Sequence, residues 1–290
     1  MCAAPCARYT KSTWKLVTLN EMSVLWLRVA VALYSLGLWH ALLTLLDRRR
    51  PAVFRVAMVA FYTGFILHLV SIVDHTVATG HFPANDFFES ATLCGFLVAL
   101  LFLAAWRKYQ FESLAVFVFP LVFVLTLAGE LGNPVSTWSS AGLRGTWLVI
   151  HVVLVLSGYA AMGLAFAVSV MYLLRERRLK HKRPGGLSNL PPLNSLDELM
   201  SRTLSIGFVL ITLAVIAGST WASIEMGTRW IRDPRIVISM FTWALYLAII
   251  FLRVTAGWRG RRAAIAQLVL VSCSALTWLA HTGLKAWLTQ

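Results

Sequence analysis

The sequence predicts an all-α, polytopic integral membrane protein, a helix bundle with about eight transmembrane helices. Hydrophobic residues make up 59% of the 290 residues and charged residues only 13%, whereas soluble domains carry about 25% charged residues. The apolar residues form long runs without the alternation of barrel strands, and only helices and closed barrels satisfy the backbone in lipid. The net charge of +14 comes from short basic clusters between these runs, which is typical of a membrane topology signal and argues against a nucleic-acid partner.

Each predicted span is an apolar run close to the roughly 20 residues that cross the hydrocarbon core. The first run follows a basic stretch like a signal peptide's n-region, but its length and the lack of a small-x-small cleavage site predict a retained helix. The third and fourth runs are the shortest. The eight predicted spans are residues 22–46, 53–73, 91–106, 114–130, 146–174, 203–224, 236–254 and 263–282.

Lysine and arginine residues predict the side of the membrane that each loop faces. Alternate loops hold most of the 26 basic residues, and loops rich in Lys and Arg stay in the cytoplasm. Both termini are therefore predicted to lie outside the cytoplasm, in a multi-pass protein of the cell inner (plasma) membrane. The basic residues of these loops are Arg48, Arg49, Arg50, Arg55, Arg107, Lys108, Arg175, Arg177, Arg178, Lys180, Lys182, Arg183, Arg202, Arg253, Arg259, Arg261 and Arg262.

The longest basic loop, residues 175–202, becomes rich in proline and glycine after its first part. This composition predicts an irregular cytoplasmic linker. The linker separates five helices from three, but no internal repeat divides the chain. Residues 1–290 are therefore predicted to form a single transmembrane domain.

Histidines at membrane depth are the candidate ligands, because an ionisable group in lipid is costly and usually marks a function. His68 lies well inside the second span, where a neutral imidazole could bind haem iron or a neighbouring helix. His151 lies five residues into the fifth span, at the depth of an outer-face ligand or of an interfacial histidine beside Trp147. His281 lies near the outer end of the last span, on the same helix face as Lys285.

The predicted outer loop between the sixth and seventh spans combines aromatic and charged residues. Interfacial belts explain most of the 12 tryptophans without any ligand. Trp221, Trp230 and Asp233 could line a cofactor platform, or they could form a belt beside an Asp–Arg surface pair. In another polar outer loop, His75 and His81 are predicted to be solvated.

Eight short segments, in order along the chain, form a specific pattern. They include Gly-Phe-Ile-Leu-His68, Gly-His-Phe-Pro-Ala-Asn85, Trp147-x-x-x-His151 and Leu-Asp-Glu-Leu199. The series resembles the haem-handling cytochrome c assembly membrane proteins, the group of CcsA, ResC and CcmC with the related HemX- and YpjD-like proteins. The resemblance covers a core of about residues 60–285. The matching segments are 64–68, 80–90, 147–160, 172–174, 196–199, 207–208, 218–222 and 257–264.

The resemblance implies a haem binder or chaperone that delivers haem at the outer face for cytochrome c maturation, with no bond-breaking chemistry of its own. Its implied partners are haem, an assembly partner protein, an apocytochrome c and the lipid bilayer. By the resemblance, His68 is the first intramembrane haem ligand and His151 the first outer-face ligand. Phe251 and Lys285 stand where the family has its two other histidines. His281 is predicted to substitute for the histidine missing at Lys285.

The tryptophan-rich outer loop of the family is partly kept in this chain. Gly227, Trp230, Asp233 and Pro234 match it, whereas two of its tryptophans are replaced. Three arginines of the segment are predicted to pair with haem propionates, because guanidinium binds carboxylates well. The predicted haem platform consists of Trp221, Trp230, Asp233, Arg229, Arg232 and Arg235.

The loss of two ligand positions also fits a protein of another class. In that alternative the chain is a HemX-like regulatory or scaffolding membrane protein of haem biosynthesis that has lost stable haem binding. Stoichiometric haem in the purified protein discriminates between the two functions. A small-solute transporter has little support, because the sequence shows no inverted repeat with paired broken helices.

Overall fold

The structure, a computed structural model, describes residues 11–46, 51–83, 87–131, 143–181, 190–226 and 234–288. These residues form eight helices, and each of the eight predicted spans lies inside one of them, which confirms the prediction of an all-α bundle. The helices are α1 (Lys11–Leu46), α2 (Pro51–Thr79), α3 (Phe87–Tyr109), α4 (Glu112–Glu130), α5 (Leu143–Lys180), α6 (Leu193–Met226), α7 (Pro234–Thr255) and α8 (Arg261–Leu288).

Seven helices within the described residues are long and apolar enough to cross a membrane. The third and fourth predicted spans, the shortest in the sequence, belong to α3 with 23 residues and α4 with 19 residues. The described side chains of α8 end at residue 275, so its predicted span lies partly outside them. The chain is therefore a polytopic membrane bundle.

Helical structure enters both ends of the predicted 175–202 linker, because α5 continues to Lys180 and α6 begins at Leu193. Ion pairs four residues apart support these added turns. Lys180 Nζ lies 2.7 Å from Glu176 Oε1 in α5, and Arg202 pairs in the same way with Glu198 in α6. Basic side chains in the last turn of α5 also interact favourably with the helix dipole.

The main core lies where α1 to α5 meet, and small residues and aromatic rings build it. Ala30 and Ala57 are fully buried and let helix backbones approach closely, as small residues do in membrane bundles. Phe61 of α2 stacks on Phe119 of α4 with ring centroids 4.1 Å apart. Phe61 also meets Phe102 of α3 edge-on at 5.2 Å. This aromatic stack fixes the positions of α2, α3 and α4.

A second, smaller core holds α6 and α7 together around Tyr246, and a polar contact closes it at the end that carries the basic loops. Arg253 Nη2 donates a hydrogen bond to Asp197 Oδ2 at 3.0 Å, and the Gly260 backbone N–H donates to Asp197 Oδ1 at 2.9 Å. The Asp197 carboxylate thus connects α6, the end of α7 and the turn that precedes α8. A cavity lies in this part of the bundle.

Candidate functional site

A cavity of about 340 Å³ opens between α5, α6 and α7. Its walls are mostly apolar with a few polar groups, and its volume falls in the range of small-molecule sites. It lies towards the membrane side opposite the basic loops, since its residues belong to the first half of α5 and the second half of α6. The side chains that line it include Trp147, His151, Tyr159, Ile211, Trp221 and Met240.

His151 lines this cavity, and one of its ring nitrogens forms a hydrogen bond with the backbone of α6. Its Nδ1 lies 2.9 Å from the backbone oxygen of Ala214 in α6. A carbonyl oxygen only accepts hydrogen bonds, so Nδ1 carries the hydrogen and Nε2 keeps its lone pair. No group among the described residues bonds to Nε2. Metal-binding histidines show the same arrangement, with the second nitrogen donating to a carbonyl or carboxylate.

Gly218 of α6 lies directly against the His151 ring. A Cβ atom at this position would come within 2.5 Å of His151 Cε1, a separation that real Cβ atoms do not reach. The glycine therefore allows the α6 backbone to approach the imidazole. Any larger residue would displace the ring, so Gly218 helps to set the position of His151.

Trp147 and Trp221 complete the aromatic part of the cavity wall. Trp147 precedes His151 by one helical turn, so both lie on the same face of α5, and its indole Nε1 donates to the Ala217 oxygen at 3.0 Å. Trp221 contributes from α6. The structure therefore brings together His151 and Trp221, two of the residues that the sequence selects.

His68 has very different surroundings in α2. Its side chain is 0% exposed, and the rings of Tyr34 and Phe96 face it edge-on at centroid distances of 5.9 and 5.5 Å. The Tyr34 hydroxyl lies 3.4 Å from Nδ1, and Nε2 has no partner among the described residues. Since the side chain is 0% exposed, not even a water molecule fits against the ring. A porphyrin therefore does not fit beside His68 in this conformation.

The remaining predicted site residues lie outside the side chains that the structure describes. Arg235 and His281 belong to helices α7 and α8, but the described side chains include neither. Phe251, at a position where the resembling family has histidine, is 62% exposed on α7 and does not point into the core. The predicted residues that lie wholly outside the described ranges are Arg229, Trp230, Arg232 and Asp233.

Two residues of the cavity escape sequence reasoning. The acceptor for His151 is the backbone oxygen of Ala214, 63 residues further along the chain, and no side-chain pattern indicates a backbone acceptor. Gly218 belongs to one of the matched segments, 218–222, but its contact with the imidazole depends on how α5 and α6 pack. Apart from that match, the sequence gives no signal for this contact.

Comparison with known proteins places nearly all of the chain in one family. The family described as cytochrome C assembly protein matches residues 16–288. The cytochrome c biogenesis protein CcsA of Prochlorococcus marinus (strain MIT 9301) is 29% identical over 241 residues, 75% of this chain and 78% of the relative. CcsA of Guillardia theta is 24% identical over 296 residues, 92% of each chain. CcsA of Parasynechococcus marenigrum (strain WH8102) is 25% identical over 268 residues, 80% of this chain and 88% of the relative.

Proposed function

Because the chain belongs to the cytochrome c assembly protein family, we propose that it binds haem and helps to deliver it at the extracytoplasmic face for cytochrome c maturation. The relatives carry the name cytochrome c biogenesis protein, and the chain forms a polytopic membrane bundle. The observation that carries the proposal is His151, held by Ala214 at the wall of an apolar cavity. Haem is the cargo, and the chain itself breaks no bond.

The residues that line the cavity are suited to hold a haem at the edge of the cavity. His151 Nε2 is available as an axial ligand, and neutral histidine is a common ligand of haem iron. The apolar wall suits the faces of a porphyrin. Trp147 and Trp221 add flat aromatic surfaces beside the imidazole. Together these groups would hold the iron and exclude water from one face of the ring.

Further contacts to the same haem come from the sequence. We propose His281 as the second axial ligand, from α8, which packs along α5. Trp230 and Asp233 would extend the platform next to Trp221. The propionates would pair with arginine side chains, because guanidinium binds carboxylates in a fork. The arginines proposed for this role are Arg229, Arg232 and Arg235.

His68 remains the proposed ligand of a second, intramembrane haem. Its Nε2 has no hydrogen-bond partner within the described part of the chain, which suits a ligand, but the rings of Tyr34 and Phe96 enclose it. Haem binding at His68 therefore requires α1 or α3 to move so that these rings turn away. For this reason the present geometry favours His151 over His68 as the resident binding position.

The proposed orientation follows from the charge of the loops. The basic loops would face the cytoplasm and the His151 cavity the opposite side of the inner membrane. There the haem would meet an apocytochrome c, with an assembly partner protein assisting its attachment. Both termini would lie on the same extracytoplasmic side.

The test is the absorption spectrum of the detergent-purified protein, oxidised and reduced. We expect a Soret band that falls at least about tenfold in His151→Ala, because the axial ligand is lost. His40→Ala is the matched control: in the described residues the His40 ring bonds to the Leu36 oxygen of its own helix at 2.9 Å and to nothing else, so its loss should leave the band unchanged. His68→Ala reports on the second site. A wild-type protein that stays haem-free after expression with ample haem would contradict the proposal.

One observation favours the alternative function. Phe251 is exposed on the periphery of α7, so no residue from this position replaces the family's histidine inside the bundle. A protein with an incomplete ligand set would serve as a HemX-like regulator or scaffold of haem biosynthesis. Haem-free wild-type protein, with normal helix content, is the result that would favour this alternative.

A further inference from the structure

Three ligating side chains converge where α2 ends and α3 begins, at the end of these helices remote from Arg55 and Arg107. His75 lies in the last turns of α2, His81 follows the helix, and Glu89 lies in the first turn of α3. One ligating atom from each of the three residues lies within 4.8 Å of the others. The sequence predicts solvated histidines in a polar outer loop, whereas the structure places His75 inside α2 with its side chain only 17% exposed.

The backbone of the turn holds the cluster in place. Gly80 adopts a φ of +73°, a left-handed conformation that glycine takes without strain, and its N–H donates to the Thr76 oxygen at 3.0 Å. The Thr79 hydroxyl lies 3.2 Å from the His81 oxygen. These contacts reverse the chain directly after α2 and bring His81 back beside His75, with ring centroids 5.7 Å apart.

The orientation of the rings matches that of metal ligands. His75 Nε2 lies 3.1 Å from Glu89 Oε1. His81 Nδ1 lies 3.2 Å from the Phe82 oxygen, which only accepts, so Nδ1 donates and Nε2 is the nitrogen with a lone pair. A histidine that ligates a metal typically donates its other N–H to such a carbonyl. The side chains of His75 and Glu89 are only 17% and 11% exposed, which limits competition from water.

The His75–Glu89 contact and the approach of the His81 ring together place two imidazoles and a carboxylate around one point. We propose that His75, His81 and Glu89 form a binding site for a divalent transition-metal ion of the Zn²⁺ class, independent of haem handling. Two imidazoles and a carboxylate are a typical zinc ligand set, with the fourth position left to water or another ligand.

The geometry requires only a small adjustment to accept the ion. Zinc bonds of about 2.0–2.2 Å place tetrahedral ligand atoms about 3.3–3.6 Å apart. The His75–Glu89 distance of 3.1 Å already matches, and His81 has to move inward. The bound ion would tie the end of α2 to the start of α3.

The experiment uses the full-length protein in detergent, purified without a histidine tag and stripped of metal with a chelator. Zn²⁺ is then titrated against a chromophoric chelator, and Co²⁺ absorption in the visible range reports the coordination. We expect uptake of one Zn²⁺ per chain. His75→Ala, His81→Ala and Glu89→Gln should each weaken binding at least about tenfold, since each removes one of the three ligands.

Two controls separate this site from charge effects and adventitious binding. Asp74→Asn removes a negative charge next to His75 without removing a ligand, and His40→Ala removes a histidine near the other end of the bundle. Both should bind Zn²⁺ as the wild type does. Glu89→Gln preserves the side-chain shape, and its helix content is checked by circular dichroism. Absence of uptake, or equal uptake in wild type and Glu89→Gln, would overturn the proposal, whatever the haem content.

Discussion

His68 and His151 are both histidines at membrane depth, yet the fold places them in opposite surroundings. His68 is enclosed by aromatic rings, 0% exposed, and its Nε2 has no partner among the described residues. His151 lines a cavity of about 340 Å³, and its Nδ1 bonds to the Ala214 oxygen. Depth in the membrane therefore identifies an unusual histidine, whereas a ligand also needs a fixed tautomer and open space beside the other nitrogen.

The two positions also differ in what they contribute to stability. A buried polar atom without a partner costs about 1–3 kcal/mol, and the packing of α1, α2 and α3 offsets that cost at His68. At His151 the hydrogen bond to α6 satisfies the buried side of the ring, and the other nitrogen faces the cavity. A partner that reached His68 Nε2 would therefore remove this cost. Of the two histidines, however, only His151 is accessible without rearrangement of the helices.

The largest expected effect comes from Gly218, the glycine beside the His151 ring. In Gly218→Ala the new Cβ would lie 2.5 Å from His151 Cε1, so the imidazole must move and haem absorbance should fall about tenfold, as for other residues that orient a ligand. Gly64→Ala, one turn before His68 in α2, is the matched control. Its Cβ would lie 3.1 Å from Tyr34 Cε1 and 3.3 Å from Leu33 Cβ, contacts that small shifts of these side chains relieve, so the haem in the cavity should persist. Equal haem content in the two purified variants would break the comparison.

A smaller effect is expected from replacing the polar pair in the enclosed region. The double variant Tyr34→Phe with His68→Leu removes the unpartnered nitrogen and the hydroxyl together. Replacement of both buried polar partners by apolar groups is close to neutral or stabilising. The free energy of unfolding should therefore stay the same or rise by up to about 1 kcal/mol. Thermal unfolding in detergent, followed by circular dichroism, measures this. A clear fall in melting temperature would show instead that the pair stabilises the bundle. His151→Leu is the contrasting variant: it leaves the Ala214 oxygen without its hydrogen bond, so its melting temperature should fall.

The smallest effect is expected from Tyr34→Phe alone. The Tyr34 hydroxyl lies 3.4 Å from His68 Nδ1, beyond the usual range of about 2.5–3.2 Å, so this contact is weak. Removal of the hydroxyl should change the free energy of unfolding by less than about 0.5 kcal/mol. The same thermal measurement tests it. A loss above about 1 kcal/mol would mean that the Tyr34–His68 contact is a strong hydrogen bond in the protein.

The sequence predicts part of the candidate site. Membrane depth, aromatic composition and the family resemblance indicate His151 and Trp221, and the structure brings both to one cavity. The sequence does not predict the cluster of His75, His81 and Glu89, because the turn at Gly80 that brings them together depends on the fold. Nor does it predict the contacts of His151 with Ala214 and Gly218, since a backbone oxygen and an absent side chain have no chemical signature in a sequence.

The fold class and the positions of the helices follow from the sequence. Lipid offers no partner to a free backbone group, so a long apolar run without strand-like alternation has to be helical. Which histidine is enclosed and which one faces a cavity follows from the tertiary structure. That outcome depends on the rotation of each helix and on its packing against distant segments, as when Ala214 and Gly218 of α6 meet His151 of α5.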